Sequence, residues 1–311
     1  MSKQTVANRQ AMCEVLVEEA KQNADIVVLT SDSRGSASLV EFAKQLPEQL
    51  IEVGIAEQNL VSISAGLAHM GKRPFAASPA CFLSMRSIEQ IKVDVAYSNK
   101  NVKLVGISGG VSYGALGMSH HSLQDFAVTR AIPNLQVLVP ADRRETKKMF
   151  QALAASDEPA YIRLGRNPVE DCYVEDYEFE IGKAVTMKEG TDITLIATGE
   201  TVRQAMDAAE LLKEQSISAM VLNIHSLKPF DWAAVKAAAQ ATKRVLSVEE
   251  HSIYGGLGAA VAETLSEETG IQHKIIGFPD EALITGTSGE LFKHYGLDGA
   301  SLAEQAAAMV K

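Results

Sequence analysis

The chain has little sulfur chemistry, few aromatic residues, no long apolar run and a deficit of positive charge. Cys13, Cys81 and Cys172 are its only cysteines, too few and too scattered for a disulfide framework or a CxxC metal site. No segment is apolar for long enough to span a bilayer, and the opening stretch MSKQTVANRQAMCEVL lacks the apolar centre of a signal peptide. A cytoplasmic protein with no membrane partner is the expectation. The 29 lysines and arginines face 39 aspartates and glutamates, a net charge of −10, so no general attraction to nucleic acid is expected. Small phosphorylated ligands stay open, because a few placed arginines suffice for them.

What is present is the material of an α/β protein. With 311 residues, 46% of them hydrophobic and 22% charged, the chain can fill the cores of two ordinary domains. Short β-rich runs alternate with helical patterns, as parallel sheets require. ADIVVLTSD (24–32), LIEVG (50–54), RPFAASP, NVKLVGIS (101–108) and NLQVLVP (134–140) read as strands. A helix begins near Val6, and LSMRSIEQIKVDVAYS reads as another. PADRRETKKMF opens a helix with Asp142 and Glu145 at capping-box spacing. NPVEDCYVEDYEFEIG is acidic and non-periodic and reads as a linker, with the domain break near residue 175. Alternation then resumes with strands at 191–199, 217–224 and 243–250 and a helix in GGLGAAVAETL. The expected fold is two α/β domains, residues 1–172 and 173–311, each a parallel sheet packed with helices.

GGLGAAV lacks the third glycine of a dinucleotide loop, so Gly256 and Gly258 read as helix-packing glycines. The histidine pair His120–His121 lies in the glycine-broken loop GALGMSHHSLQD; neighbouring side chains on an extended loop diverge, which argues against one shared metal. Ser122 and Asp125 have capping-box spacing before a following helix. His225, Glu249, Glu250 and His251 match no ligand pattern and read as subunit packing. In EVGIAEQN, Glu57 opens a helix just after a strand end, which is where open α/β sheets place their ligands.

Taken in order, VGIAEQN, FLSMRSIEQI, SHHSLQDFAVTRAIPNLQVLVPAD and EEHSIYGGLGAAVAE resemble the C-terminal half of transketolases. The resemblance covers the whole chain: a pyrimidine-binding domain followed by the transketolase C-terminal domain. Nothing in the chain resembles the GDG…N segment that binds diphosphate and metal, so the sequence looks most like the second subunit of a two-chain transketolase.

The resemblance implies transfer of a two-carbon ketol unit between sugar phosphates with thiamine diphosphate. It implies Mg2+ or Ca2+ held mainly by a diphosphate-binding N-terminal partner subunit, in an α2β2 assembly that is active only when joined. It places Glu57 on the cofactor's aminopyrimidine, Phe82 as the aromatic stacked on that ring, and Asp32 close to the thiazolium region. His120 falls on the histidine that meets substrate, with His121 as its neighbour. Arg9, Ser36 and Arg166 fall on positions that bind the sugar-phosphate tail. Two positions depart from the pattern: Ser108 stands for a histidine near the phosphate, and Leu116 for an aspartate that reads an acceptor hydroxyl. Loss of that carboxylate implies an unusual or branched sugar phosphate. The nearest alternatives are the β subunit of a 2-oxo acid dehydrogenase decarboxylating component and a non-catalytic assembly subunit on the same fold.

Overall fold

A computed structural model describes residues 5–173 and 177–311. The predicted break near residue 175 therefore lies outside the described residues. The strands are β1 (Thr5–Ala7), β2 (Ile26–Thr30), β3 (Leu50–Glu52), β4 (Arg73–Pro79), β5 (Lys103–Ile107), β6 (Gln136–Leu138) and β7 (Ala160–Arg163). They continue with β8 (Pro168–Glu170), β9 (Val185–Lys188), β10 (Ile193–Ala197), β11 (Ala219–Asn223), β12 (Ser226–Lys228), β13 (Arg244–Ser252) and β14 (Gln272–Phe278).

The first sheet has the order β12-β6-β7-β5-β4-β2-β3 and is parallel except for β12 on β6. Its inner strands β2, β4 and β5 are buried along nearly their whole length, as expected of strands covered by helices on both faces. The second sheet, β14-β13-β10-β11-β9, is parallel but for its edge strand β9. Because β12 comes from the C-terminal half, the first sheet is completed by the second domain. The apolar core follows suit: one cluster runs without a break from Leu29 and Leu104 to Val245 and Val261.

Four local expectations are corrected by tertiary packing. Pro168–Glu170, inside the predicted linker, is strand β8 paired with β1. The helix expected over LSMRSIEQIKVDVAYS is instead broken into Ala80–Arg86, Ile88–Gln90 and a π-helical stretch Ile91–Tyr97. Asp142 does cap its helix through the Arg144 and Glu145 amides, but Glu145 accepts the Ala141 amide at 2.7 Å and also meets the other domain, so no capping box closes on Asp142. Ser122 and Asp125 form no box either: the Ser122 hydroxyl has no hydrogen-bond partner, and Asp125 accepts from the Tyr161 hydroxyl at 2.7 Å. The glycine reading holds for Gly258, where a Cβ would sit 2.4 Å from the Ile275 side chain. The helix Leu257–Leu265 thus lies hard against β14.

Candidate active site

The four neighbouring strands β5-β4-β2-β3 end side by side, and each hands its chain to a predicted site residue. Beyond β2, Asp32 takes a left-handed conformation at φ 52°. It is exposed, and its amide donates to Glu52 Oε1 at 2.6 Å, an acceptor shared with the Gly54 amide. Beyond β3, Gly54 at φ 74° turns the chain into the helix Glu57–His69, whose first residue is the buried Glu57. A carboxylate at a helix start is favoured by the unpaired amides there. Beyond β4, Phe82 lies half-buried on the helix Ala80–Arg86. Beyond β5, the buried Ser108 is left-handed at φ 54°, and its hydroxyl has no hydrogen-bond partner. Backbone strain of this kind gathers where a fold holds side chains for a purpose.

Glu57 and Phe82 come together through one residue that the sequence did not single out, and His120 joins them at the Phe82 ring. Arg86 Nη1 donates to Glu57 Oε1 at 2.9 Å, and its guanidinium carbon lies 4.0 Å from the centre of the Phe82 ring. The His120 imidazole meets Phe82 edge-on at 5.1 Å and Tyr113 edge-on at 5.5 Å. His120 Nδ1 lies 2.9 Å from the Ser119 hydroxyl. His121 is the buried one of the pair, with Nε2 3.1 Å from the Gly114 carbonyl. That carbonyl can only accept, so Nε2 carries the proton. Burial holds the His121 pKa below the usual value, with the Gly114 bond acting against the shift. Leu116 is 53% exposed on the short 3-10 turn Gly114–Ser119 and brings no polar side-chain atom to the cleft.

Arg9, Ser36 and Arg166 form a second group on the same edge of the sheet. Arg9 donates from Nη1 to the Ser36 carbonyl at 2.5 Å and from Nε to the Arg166 carbonyl at 3.2 Å. Burial, and then repulsion from Arg166, hold the Arg9 pKa below its ordinary value. Two guanidinium groups that repel each other in a half-buried setting suit an anion between them. The Arg166 amide reaches the Ser112 hydroxyl at 3.3 Å, and its guanidinium lies 5.2 Å from the centre of the Tyr113 ring. Tyr113 and Arg86 were legible only as an aromatic and a cation beside the motifs. Nothing in the spacing of either residue marks a role.

His225, Glu249, Glu250 and His251 are not subunit packing: all four are buried where the two domains of this one chain meet. Arg163 Nη2 donates to the Glu250 backbone carbonyl at 2.6 Å and lies 3.3 Å from its carboxylate. Its Nη1 lies 3.6 Å from Asp125, and the guanidinium sits 4.4 Å from the centre of the Phe126 ring. Burial opposes the Arg163 charge, but Asp125 and Glu250 hold its pKa above the ordinary value. Glu249 accepts the Leu257 and Gly258 amides at 2.7 and 2.8 Å. His225 Nδ1 lies 3.1 Å from Glu145, which also accepts from Asn223 and Tyr173. Among the described residues, no cluster of His, Cys, Asp or Glu could hold a metal ion, and no helix is long and apolar enough to cross a membrane.

An acid, an aromatic ring and an imidazole thus gather near the ends of neighbouring parallel strands, backed by a second α/β domain, in a chain built as the pyrimidine-side half of a thiamine-diphosphate enzyme. Residues 4–170 match the transketolase pyrimidine-binding domain and residues 182–302 the transketolase C-terminal domain. The chain belongs to the transketolase family. Over its whole length it is 51% identical to one subunit of the apulose-4-phosphate transketolase of Phocaeicola vulgatus, covering 100% of both chains. It is 38% identical to a 6-deoxy-6-sulfo-D-fructose transketolase subunit of Clostridium sp. strain MSTE9, over 96% of this chain and 92% of that one. Among solved structures it resembles a split-gene transketolase described as an inactive β4 tetramer. The TM-score is 0.89 at 38% identity, over 97% and 98% of the two chains.

Proposed function

We propose that this chain is the pyrimidine-side subunit of a two-chain, cytoplasmic transketolase that moves a two-carbon ketol unit between sugar phosphates, one of them branched or otherwise unusual. The domain division at 172/173 and the site roles belong to the same reading. The observation that carries it is the Glu57–Arg86–Phe82 arrangement. A guanidinium is a flat, nitrogen-bearing group. Here it lies on the Phe82 ring while donating to the buried Glu57 carboxylate. Those two side chains therefore fit an aminopyrimidine: a ring face to stack on and a carboxylate to meet a ring nitrogen. Arg86 is half exposed, so it can swing into solvent and leave the Phe82 face and the Glu57 carboxylate open to such a ring.

Thiamine diphosphate, when bound, would supply the electron sink that ketol transfer needs. This chain's part is to bind and orient. Glu57 Oε1 holds the proton at the pyrimidine nitrogen, and Phe82 fixes the plane of that ring. Asp32 stands at the end of β2 facing the same region. His120, held between Phe82 and Tyr113, orients substrate and moves a proton at its hydroxyl. Arg9 and Arg166, set by the Ser36 carbonyl and the Ser112 hydroxyl, bind the phosphate tail near Ser108. The same reading gives the Mg2+ or Ca2+ ion and the diphosphate to the N-terminal partner subunit. Large apolar side chains stay exposed on the elements that carry the site, Ile55 before Glu57, Met85 beside Phe82, and Leu116 and Met118 before His120. Such exposure supports a covering partner, in an α2β2 assembly.

The unusual substrate rests on Leu116, which offers no group to read an acceptor hydroxyl, and on the substrates for which the two relatives are named. The test is co-expression with the diphosphate-binding partner, followed by product analysis over a panel of sugar phosphates. Ketol transfer with a preference for a branched or modified sugar phosphate is expected. A clear preference for ribose 5-phosphate rejects the unusual substrate. Release of carbon dioxide from 2-oxo acids, or no cofactor-dependent turnover, rejects the transketolase role.

A further inference from the structure

The two halves of the site, the Arg9–Arg166 seat and the Phe82–His120 pair, are joined by a single side chain. The Tyr113 ring has the Arg166 guanidinium 5.2 Å from its centre on one side and the His120 imidazole 5.5 Å away edge-on on another. Its hydroxyl makes no hydrogen bond with any described residue, and the side chain is only half-buried. Tyr113 therefore borders the space between the charged end and the reacting end, with an unused donor and acceptor.

Its backbone is held on every side. The neighbouring Ser112 hydroxyl donates to the Gly109 carbonyl at 2.6 Å and accepts from the Arg166 amide. The Leu116 amide donates to the Tyr113 carbonyl at 2.9 Å. Gly114 accepts from His121 and, at φ 39°, lies so close to the second domain that a Cβ would stand 2.3 Å from the Gly286 carbonyl. A ring carried on a backbone held in this way, and flanked by Arg166 and His120, spaces the two halves of the site. A rigid aromatic wall discriminates by length, and a buried or half-buried hydroxyl discriminates by hydrogen bonding. Leu116, three residues on, does neither.

We propose that Tyr113 is the specificity-determining residue of this site: its ring sets how much sugar fits between the phosphate seat and His120, and its hydroxyl reads the sugar hydroxyl that Leu116 leaves unread. This rests on the ketol-transfer reading above.

The experiment uses the assembled two-chain enzyme and measures kcat/KM for acceptor aldose phosphates that differ by one carbon, and for one acceptor with its deoxy analogue. Tyr113→Leu is expected to shift the ratio of short to longer acceptor by about tenfold or more towards the longer. Tyr113→Phe is expected to keep the length ratio and erode the preference for the hydroxylated acceptor over its deoxy analogue by about tenfold. A shift in either ratio upholds the assignment, and the Phe variant serves if the Leu variant does not assemble. If both variants scale every acceptor by one common factor, Tyr113 is structural and the proposal is overturned. Arg166→Ala separates the readings: the proposed phosphate seat requires a higher KM for phosphorylated acceptors but not for an unphosphorylated aldose. An unchanged KM removes the seat and the Tyr113 assignment with it, and absence of ketol transfer by the unaltered complex overturns both.

Discussion

The cleft at the strand ends and the junction between the domains contain the same kinds of residue and treat them in opposite ways. At the junction Arg163 is buried among Asp125, Glu250 and the Phe126 ring. Glu249 closes a helix with both oxygens, and Glu145 gathers His225, Asn223 and Tyr173. At the cleft Glu57 has one half-exposed partner, Arg9 and Arg166 repel each other, and the Ser108 hydroxyl has none. The buried charges of the junction meet opposite charges inside the chain, since an unmatched buried charge costs several kcal/mol, although Arg163 Nη1, Asp125 Oδ1 and His251 Nε2 are left without a hydrogen bond. On the proposed function, the incompletely matched groups of the cleft are those that await a ligand.

The strongest way to break that contrast is Glu57→Gln in the assembled enzyme. A proton-holding carboxylate contributes roughly 10²–10⁴-fold to turnover, so kcat should fall by that order while the urea midpoint stays put. Near-unchanged turnover at saturating thiamine diphosphate would sink the cofactor role of Glu57. Arg163→Met tests the other side. It leaves Asp125 and Glu250 buried without their cation, and urea unfolding should show a loss of about 3–5 kcal/mol. A loss of well under about 1 kcal/mol would show that the junction tolerates open charges as the cleft does.

A smaller effect, in pH dependence, sharpens the comparison. Burial raises the Glu249 carboxyl from 4.5 to about 7, against the pull of the Gly258 and Leu257 amides. The folded chain then binds a proton that the unfolded chain has already released, so this group's contribution to stability falls as pH rises from about 4.5 through 7. Glu249→Gln cannot titrate. The variant's stability relative to the unaltered chain should therefore improve across that window, by roughly 2 kcal/mol. Melting curves at a series of pH values measure it, and a difference that does not change with pH contradicts the burial argument.

Much of the frame was legible because strand and helix periodicity are local. The runs at 24–32, 50–54 and 101–108 each contain the strand expected of them, and Glu57 does open its helix. The linker and the capping boxes were misread because their outcome depends on distant partners. Pro168–Glu170 becomes a strand only when β1 lies beside it. Glu145 still reaches back to the Ala141 amide, but Asn223 and His225, far along the chain, draw it into a buried network instead of a closed box. Arg86 and Tyr113 carried no signal, since a lone arginine or tyrosine beside a motif looks like any other surface residue.

The sequence by itself determined the alternation of strands and helices, the acid at the end of β3 and the imidazole loop after β5. Each is a matter of which residue stands at which step of a local repeat. Only the tertiary structure decided that Arg86 lies between Glu57 and Phe82, that Tyr113 spans from Arg166 to His120, and that the acids and histidines of the second domain lock it to the first. Those pairings depend on which strands become neighbours and on what each buried charge then meets. Periodicity along a chain carries no record of either.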